Sequence, residues 1–126
     1  MRFFTGLHQP SDAKHFAAAF VSWVRLRTRR SAMVIGDWIM DSGAFSELSQ
    51  HGRYRDSVAV YAREIRRWAT NGSGNLLAAV SQDWMCEPFI VAKTGLSVEI
   101  HQRNTIERYD ALLEEQLPVY IMPVLQ

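Results

Sequence analysis

Three polar side chains in this sequence come at or shortly after the end of an apolar run: Asp41, Asp83 and Gln126. A continuous apolar run bounded by loops is typical of a strand buried on both faces, as in parallel sheets, and such sheets carry their chemistry at the carboxyl ends of the strands. We therefore expect these three residues to form one site. Two carboxylates in one pocket raise the pKa of one of them, which suits a general acid near neutral pH.

Structural roles compete with chemistry for both aspartates. Asp41 could cap the turn that follows through Ser42 and Gly43, and Asp83 could cap a helix after Trp84. Ser42 also suggests a serine nucleophile, but no histidine lies at a position that the sequence ties to it. The sequence alone leaves the capping and chemical roles of the aspartates open.

Metal and phosphate-loop motifs are missing from the sequence. The four histidines are scattered, and with the single Cys86 they give no zinc-ligand spacing. Residues 71–75 contain two glycines but lack the lysine of a phosphate-binding loop, so they are expected to form a helix-to-strand turn. Cys86 itself is expected to pack as a small apolar side chain. Carboxylate chemistry is what remains.

Two helices are predicted between the apolar runs. Residues 56–69 carry apolar side chains at i, i+3, i+4 and i+7, with Asp56 or Ser57 as the cap. A second helix is predicted over residues 97–115. The side chains expected to point inward from this second helix are Ile106, Tyr109, Leu112 and Leu113. From the first helix, Tyr61 and Trp68 are expected in the core.

The N-terminal third predicts a strand over 3–7, a short helix over 12–19 and a second strand over 20–24. The alternation of strands and helices indicates an α/β fold with parallel strands in one domain spanning residues 1–126. The sequence ends on a predicted strand, whereas an eight-stranded barrel takes roughly 250 residues. We expect the N-terminal half of a partial TIM (β/α) barrel, truncated at its C-terminus. A small, complete open α/β sheet is the alternative.

Charge and cysteine content restrict the environment of the chain. Fourteen basic and thirteen acidic residues give a formal net charge of +1, so no global field drives binding to nucleic acid. Arginines cluster at residues 25–30 and at residues 63–67. Such clusters either form a solvated face of the protein or contact phosphates. One cysteine excludes an internal disulfide and fits a reducing compartment. No apolar stretch is long enough to cross a membrane, and a cytoplasmic protein is expected.

Three motifs in this sequence resemble those of the tRNA-guanine (queuine) transglycosylases. Residues 41–45, Asp-Ser-Gly-Ala-Phe, resemble the family's Asp-Ser-Gly-Gly-Phe/Tyr motif. Residues 82–88 occupy the place of its second base-recognising aspartate, and residues 124–126 resemble the start of its Val-Gln-Gly-Gly strand end. The chain is most similar to the branch that modifies DNA with deazapurines in phages and bacteria. Segments typical of that branch are found at residues 4–8, 41–48, 51–53, 82–88 and 92–97.

The resemblance implies an enzyme, a pentosyltransferase that exchanges a nucleic-acid guanine for a 7-deazaguanine through a covalent sugar intermediate. It implies that Asp41 protonates the leaving guanine and later deprotonates the incoming base. A carboxylate accepts two parallel hydrogen bonds from the N1–H and amino edge of guanine, and a glutamine amide can donate to the O6 and N7 side. The residues implied in substrate binding are Asp83, Gln126, Ser42, Gly43, Phe45 and Gln82.

Two departures limit this comparison. Ala44 replaces the second glycine of the motif, so the backbone there holds a different angle or approaches the base less closely. The family's nucleophilic aspartate and, where present, its structural zinc lie on later segments, so no metal or cofactor is expected in this one. A non-catalytic fragment that binds purine or nucleic acid, or a nucleosidase-type hydrolase, remains an alternative. The resemblance does not choose between tRNA and DNA.

Overall fold

The computed structural model describes residues 2–126 as one five-stranded sheet with helices between the strands. All neighbouring strands are parallel, and their order in the sheet is their order in the sequence. The strands are β1 (Thr5–Leu7), β2 (Ala18–Ser22), β3 (Asp37–Asp41), β4 (Asn75–Val80) and β5 (Tyr120–Met122). The helices are a 3₁₀ helix (Pro10–His15) and α1 (Trp23–Leu26), α2 (Ala44–His51), α3 (Val58–Thr70), α4 (Pro88–Thr94) and α5 (Val98–Glu114).

The two faces of this sheet are packed differently. On one face the strands share a buried cluster with α3 and α5, to which Trp38, Tyr61, Trp68 and Leu112 belong. On the other face, a cluster around Ile39, Ala78 and Val80 contains side chains from strands and adjoining loops only. Parallel strands in sequential order, with the helices on one face, are the arrangement of a (β/α) barrel, whereas a doubly wound sheet reverses its strand order. The predicted fold class is confirmed, because this sheet is consistent with part of such a barrel.

Helix α3 follows the prediction closely. Ser57 caps it, accepting a hydrogen bond from the Val60 N–H at 3.2 Å. Tyr61 and Trp68 are buried as expected, and the Trp68 ring packs edge-on against Trp38 of β3 with ring centroids 6.3 Å apart. The apolar face of α3 thereby fixes β3, the strand that ends on Asp41.

Helix α5 was placed correctly along the sequence, but its inward face was not. Leu112 is buried and Tyr109 packs half-buried against the core, whereas Ile106 is 61% exposed and Leu113 is 46% exposed. The side chains that α5 buries toward the loop after β4 are His101 and Thr105, which are polar. A hydrophobic pattern could not identify that face, because the contacts there are hydrogen bonds.

The N-terminal boundaries were also predicted imperfectly. The expected helix over 12–19 is a 3₁₀ helix that begins at Pro10 and ends before β2, and β2 starts at Ala18 rather than at residue 20. The strand ends at Ser22 because its hydroxyl accepts a hydrogen bond from the Val24 N–H and so starts α1. In the described part of the chain, every helix is too short or too polar to cross a membrane.

Candidate active site

Asp41 ends β3 and also shapes the turn that leads into α2. Its Oδ2 accepts a hydrogen bond from the Gly43 N–H at 3.0 Å, so the capping role considered for Asp41 is present. Gly43 has a φ of +76°, and a Cβ there would lie 2.4 Å from Cγ2 of Val24. Glycine is thus required at this position by both the backbone angle and the close approach of α1. The bond to Gly43 holds the Asp41 carboxylate in a fixed orientation.

A cavity of about 510 Å³ adjoins the Asp41 carboxylate. It opens at the carboxyl ends of the first three strands, and its lining residues are Gly6, Leu7, His8, Phe20, Ser22 and Asp41. This volume is within the usual range of small-molecule sites, and its walls combine apolar surface with a few polar groups. Asp41 therefore faces a space that could hold a ligand, in addition to capping its turn.

Asp83 lies in the loop after β4, where it is 7% exposed. The Gln126 side-chain amide donates a hydrogen bond to its Oδ2 at 2.6 Å. Burial raises the pKa of the Asp83 carboxyl to about 6, with further increases from the charges of Asp41 and Glu87, while the Gln126 bond acts in the opposite direction. The alternative that Asp83 caps a helix after Trp84 is wrong, because the next helix begins at Pro88 and follows Glu87.

The three predicted residues follow the carboxyl ends of the neighbouring strands β3, β4 and β5, but neither Asp83 nor Gln126 lines the cavity beside Asp41. Gln126 touches Asp83 directly, and Asp41 is near enough for its charge to affect the pKa of Asp83. We expected one carboxyl of this pair to have a raised pKa. That carboxyl is Asp83, which we predicted to recognise the base. Gln126 also lines a separate cavity of about 240 Å³ between α5 and the segment after β5.

The other predicted binding residues have varied surroundings. Ser42 is buried next to Asp41, whereas Phe45 is 55% exposed and packs edge-on against Phe89 with ring centroids 6.1 Å apart. Gln82 is buried, and its Oε1 accepts a hydrogen bond from Arg108 at 2.7 Å. The carbonyl side of the Gln82 amide is thus already engaged. Stacking by Phe45 and base contact by Gln82 stay predictions.

The loop that carries Asp83 is held by side chains that the sequence analysis missed. Thr105 accepts a hydrogen bond from the Trp84 N–H at 2.8 Å, and Nδ1 of His101 lies 2.7 Å from the Met85 carbonyl oxygen. A carbonyl oxygen can only accept, so Nδ1 of His101 carries a proton and donates it. Nε2 of His101 is 2.7 Å from Oγ1 of Thr94, which ties the loop to α4. A hydrophobic pattern gives no signal for such contacts.

An ion-pair network around the buried Glu47 fixes the neighbouring elements. Glu47 of α2 is 2% exposed and accepts hydrogen bonds from Arg55 at 2.8 Å and from Arg27 at 3.2 Å. Arg27 also donates to Asp56 at 2.5 Å, and Asp56 accepts from the Trp23 indole at 3.3 Å. The network connects α1 and α2, the helices that flank Asp41, to the loop before α3. In residues 2–126, no three potential metal ligands come together as a metal site.

Fold and site together define a chain of the β/α-barrel class with two aspartates at the carboxyl edge of its parallel strands. The family model described as DpdA, DeoxyPurine in DNA protein A, matches residues 1–126, and the chain belongs to this family. No curated protein and no solved structure matches the chain. The family's description names DNA, which supports the expected DNA-modification branch. The wider relation to tRNA-guanine transglycosylases stays a prediction.

Proposed function

We propose that this chain supplies the base-recognising part of an enzyme that replaces guanine in DNA by a 7-deazaguanine. The observation that carries the proposal is the arrangement of Asp41, Asp83 and Gln126 at one edge of the parallel sheet, where Asp83 is buried and bonded to Gln126. The match to a family described by a purine in DNA supports DNA rather than tRNA as the substrate. The exchange of one base for another is proposed in addition to the family membership.

Recognition of guanine follows from the donor and acceptor pattern of these side chains. The ionised carboxylate of Asp83 accepts two parallel hydrogen bonds from the N1–H and the exocyclic amino group of the base. One N–H of Gln126 is bonded to Asp83, which leaves the other to donate to O6 of the guanine. Adenine presents an acceptor at N1 and a donor at position 6, so it places the wrong group against each partner.

Asp41 is the proposed proton carrier of the exchange. When the bond between C1′ and N9 of guanine breaks, its electron pair leaves with the base, and a proton from Asp41 neutralises the departing guanine. A carboxylate from another part of the protein forms the covalent bond to C1′. The incoming 7-deazaguanine then loses its N9 proton to Asp41, bonds to C1′ and releases that carboxylate.

Removal of the Asp83 side chain tests this recognition. Asp83→Ala should weaken the preference for guanine over adenine by about 1.5 to 3 kcal/mol, the range for losing hydrogen bonds to a charged group. The measurement is competition between the two free bases in a binding assay. Glu87→Gln is the matched control, because it removes a nearby charge that raises the pKa of Asp83 but no proposed contact to the base. An unchanged preference in Asp83→Ala would refute the assignment.

A further inference from the structure

A second cavity, of about 420 Å³, is surrounded by arginines. The residues that line it are Arg27, Arg29, Arg30, Arg63, Glu64 and Arg67. The first three lie in the segment after α1, and the others lie on α3. Two arginine clusters that are far apart in the sequence thus converge on one space. We name this space the arginine cavity.

Positive charge exceeds negative charge in the arginine cavity. Its single carboxylate, Glu64, is 2.7 Å from Nε of Arg67 and 3.9 Å from Nε of Arg63. Arg27 is paired with Glu47 and Asp56, which lie outside the lining. Arg30 is exposed and has no ion-pair partner in the part of the chain that the structure describes. Like charges held together around one space favour an anion there.

The guanidinium groups also suit one kind of anion. A guanidinium offers a planar fork of donors that matches two oxygens of a phosphate, and its charge persists at every accessible pH. Arg29 and Arg67 are oriented within the cavity, because Arg29 donates to the carbonyls of Ser31 and Ala32, and Arg67 donates to Glu64. Arg30 has no ion-pair partner among the described residues, and Arg63 approaches Glu64 only to 3.9 Å, so both side chains can turn toward a ligand. The cavity therefore combines fixed and adaptable cations.

The arginine cavity lies close to the cavity beside Asp41 along the chain. Ser22 lines the Asp41 cavity and Arg27 lines the arginine cavity, with the four residues of α1 between them. At about 1.5 Å of rise per helical residue, the Cα atoms of Ser22 and Arg27 are less than about 10 Å apart along the axis of α1. Phosphates of one strand in a duplex are about 3.4 Å apart along the axis, so this separation corresponds to a few nucleotides.

We infer that the arginine cavity binds the phosphodiester backbone of the DNA strand whose purine is exchanged at Asp41. This inference rests on the proposed function, because it requires that the substrate base arrives as part of DNA. The backbone contact is independent of sequence and holds the strand in register, while Asp83 and Gln126 select the base. Arg30 and Arg63 provide the contacts that form on binding, whereas Arg27 keeps its ion pairs.

The salt dependence of DNA binding tests the inference. The probe is a single-stranded thymidine oligomer, which has phosphates but no guanine. Arg30→Gln combined with Arg63→Gln should reduce the slope of log K against log salt by about 0.7 to 1.4, the value for one or two phosphate contacts. The control combines Arg66→Gln with Arg103→Gln, which removes two exposed arginines that do not line the cavity. The control should keep a slope closer to that of the parent.

Two further measurements separate the possible failures. Binding of free guanine reports base recognition without any phosphate, and it should be unchanged in the Arg30 and Arg63 double variant. If guanine selection fails while the oligomer result holds, the proposed function falls and the backbone site stands. Equal slopes in the cavity variant and the control would overturn the backbone site. It would also be overturned if inorganic pyrophosphate bound the parent as tightly as the oligomer, because the cavity would then be a site for free phosphates.

Discussion

Replacing Asp83 by asparagine should stabilise the folded protein at neutral pH. Burial and the neighbouring carboxylates raise the pKa of Asp83 to about 6, from an ordinary value of 3.8. The folded state therefore holds this proton more tightly than the unfolded state does, and folding free energy is lost as the pH rises from 3.8 to about 6. Asparagine removes that cost and still accepts the hydrogen bond from Gln126 through its amide oxygen.

The size of the effect follows from the two pKa values. A tenfold difference in proton affinity is worth about 1.4 kcal/mol, so full ionisation of Asp83 destabilises the folded state by about 3 kcal/mol. The penalty is absent below pH 3.8, where the carboxyl is protonated in both states. It grows as the pH rises from 3.8 to about 6 and is constant above that. Asp83→Asn should thus gain about 3 kcal/mol at pH 7.5 but only about 1 kcal/mol at pH 4.5.

Urea denaturation at these two pH values measures the gain directly. The control is Asp110→Asn on the exposed face of α5, which changes the same chemical group without removing a buried charge. Its effect should stay within about 0.5 kcal/mol, as for ordinary surface substitutions. A gain for Asp83→Asn that is equal at both pH values, or a loss of stability at pH 7.5, would refute the electrostatic reasoning.

Three other perturbations have defined outcomes. Gly43→Ala should lower the free energy of unfolding more than Gly72→Ala does in thermal denaturation. Both glycines have a positive φ, but only at Gly43 would a Cβ clash with the Val24 side chain. Equal losses would show that backbone strain alone sets the cost. Asp41→Asn should lower turnover by about 10² to 10⁴-fold while binding of nucleic acid is retained, because an amide cannot shuttle a proton. Turnover at the parent rate would leave Asp41 with its capping role only. A chain of residues 1–126 should associate with increasing concentration, because β1 and β5 each leave one edge of the sheet unpaired. A monomer at all concentrations in gel filtration would contradict this.

The sequence predicted the parts of the fold that depend on local pattern. Residues 38–40 of β3 and 76–80 of β4 are continuous apolar runs, and α3 repeats apolar residues at helical spacing, so the hydrophobic pattern alone identifies these elements. The bounds of the short N-terminal elements could not be predicted, because the boundary between β2 and α1 is set by one hydrogen bond from the Val24 N–H to the Ser22 hydroxyl. A single bond of this kind leaves no periodic signal in the sequence.

Some parts of the candidate site could likewise be predicted from the sequence and others could not. The position of Asp41 and Asp83 at neighbouring strand ends follows from parallel topology, which the pattern of strands and helices predicted. The contacts that fix the Asp83 loop, from His101 and Thr105, depend on the rotation of α5 about its axis. That rotation is set by polar contacts in three dimensions, so the hydrophobic pattern could not supply it. For the same reason, the raised pKa was expected within the pair but could not be assigned to Asp83.

Incorporation of base into DNA tests the central claim most directly. The protein is incubated with guanine-containing DNA and a labelled 7-deazaguanine, and both the label in the DNA and the free guanine released are measured. Guanine released in proportion to label incorporated, with Asp41→Asn giving neither, is the predicted result. Guanine released without incorporation would indicate a nucleosidase. If the protein binds DNA but gives neither guanine release nor incorporation of label, the site is a purine-binding module and the proposed exchange is contradicted.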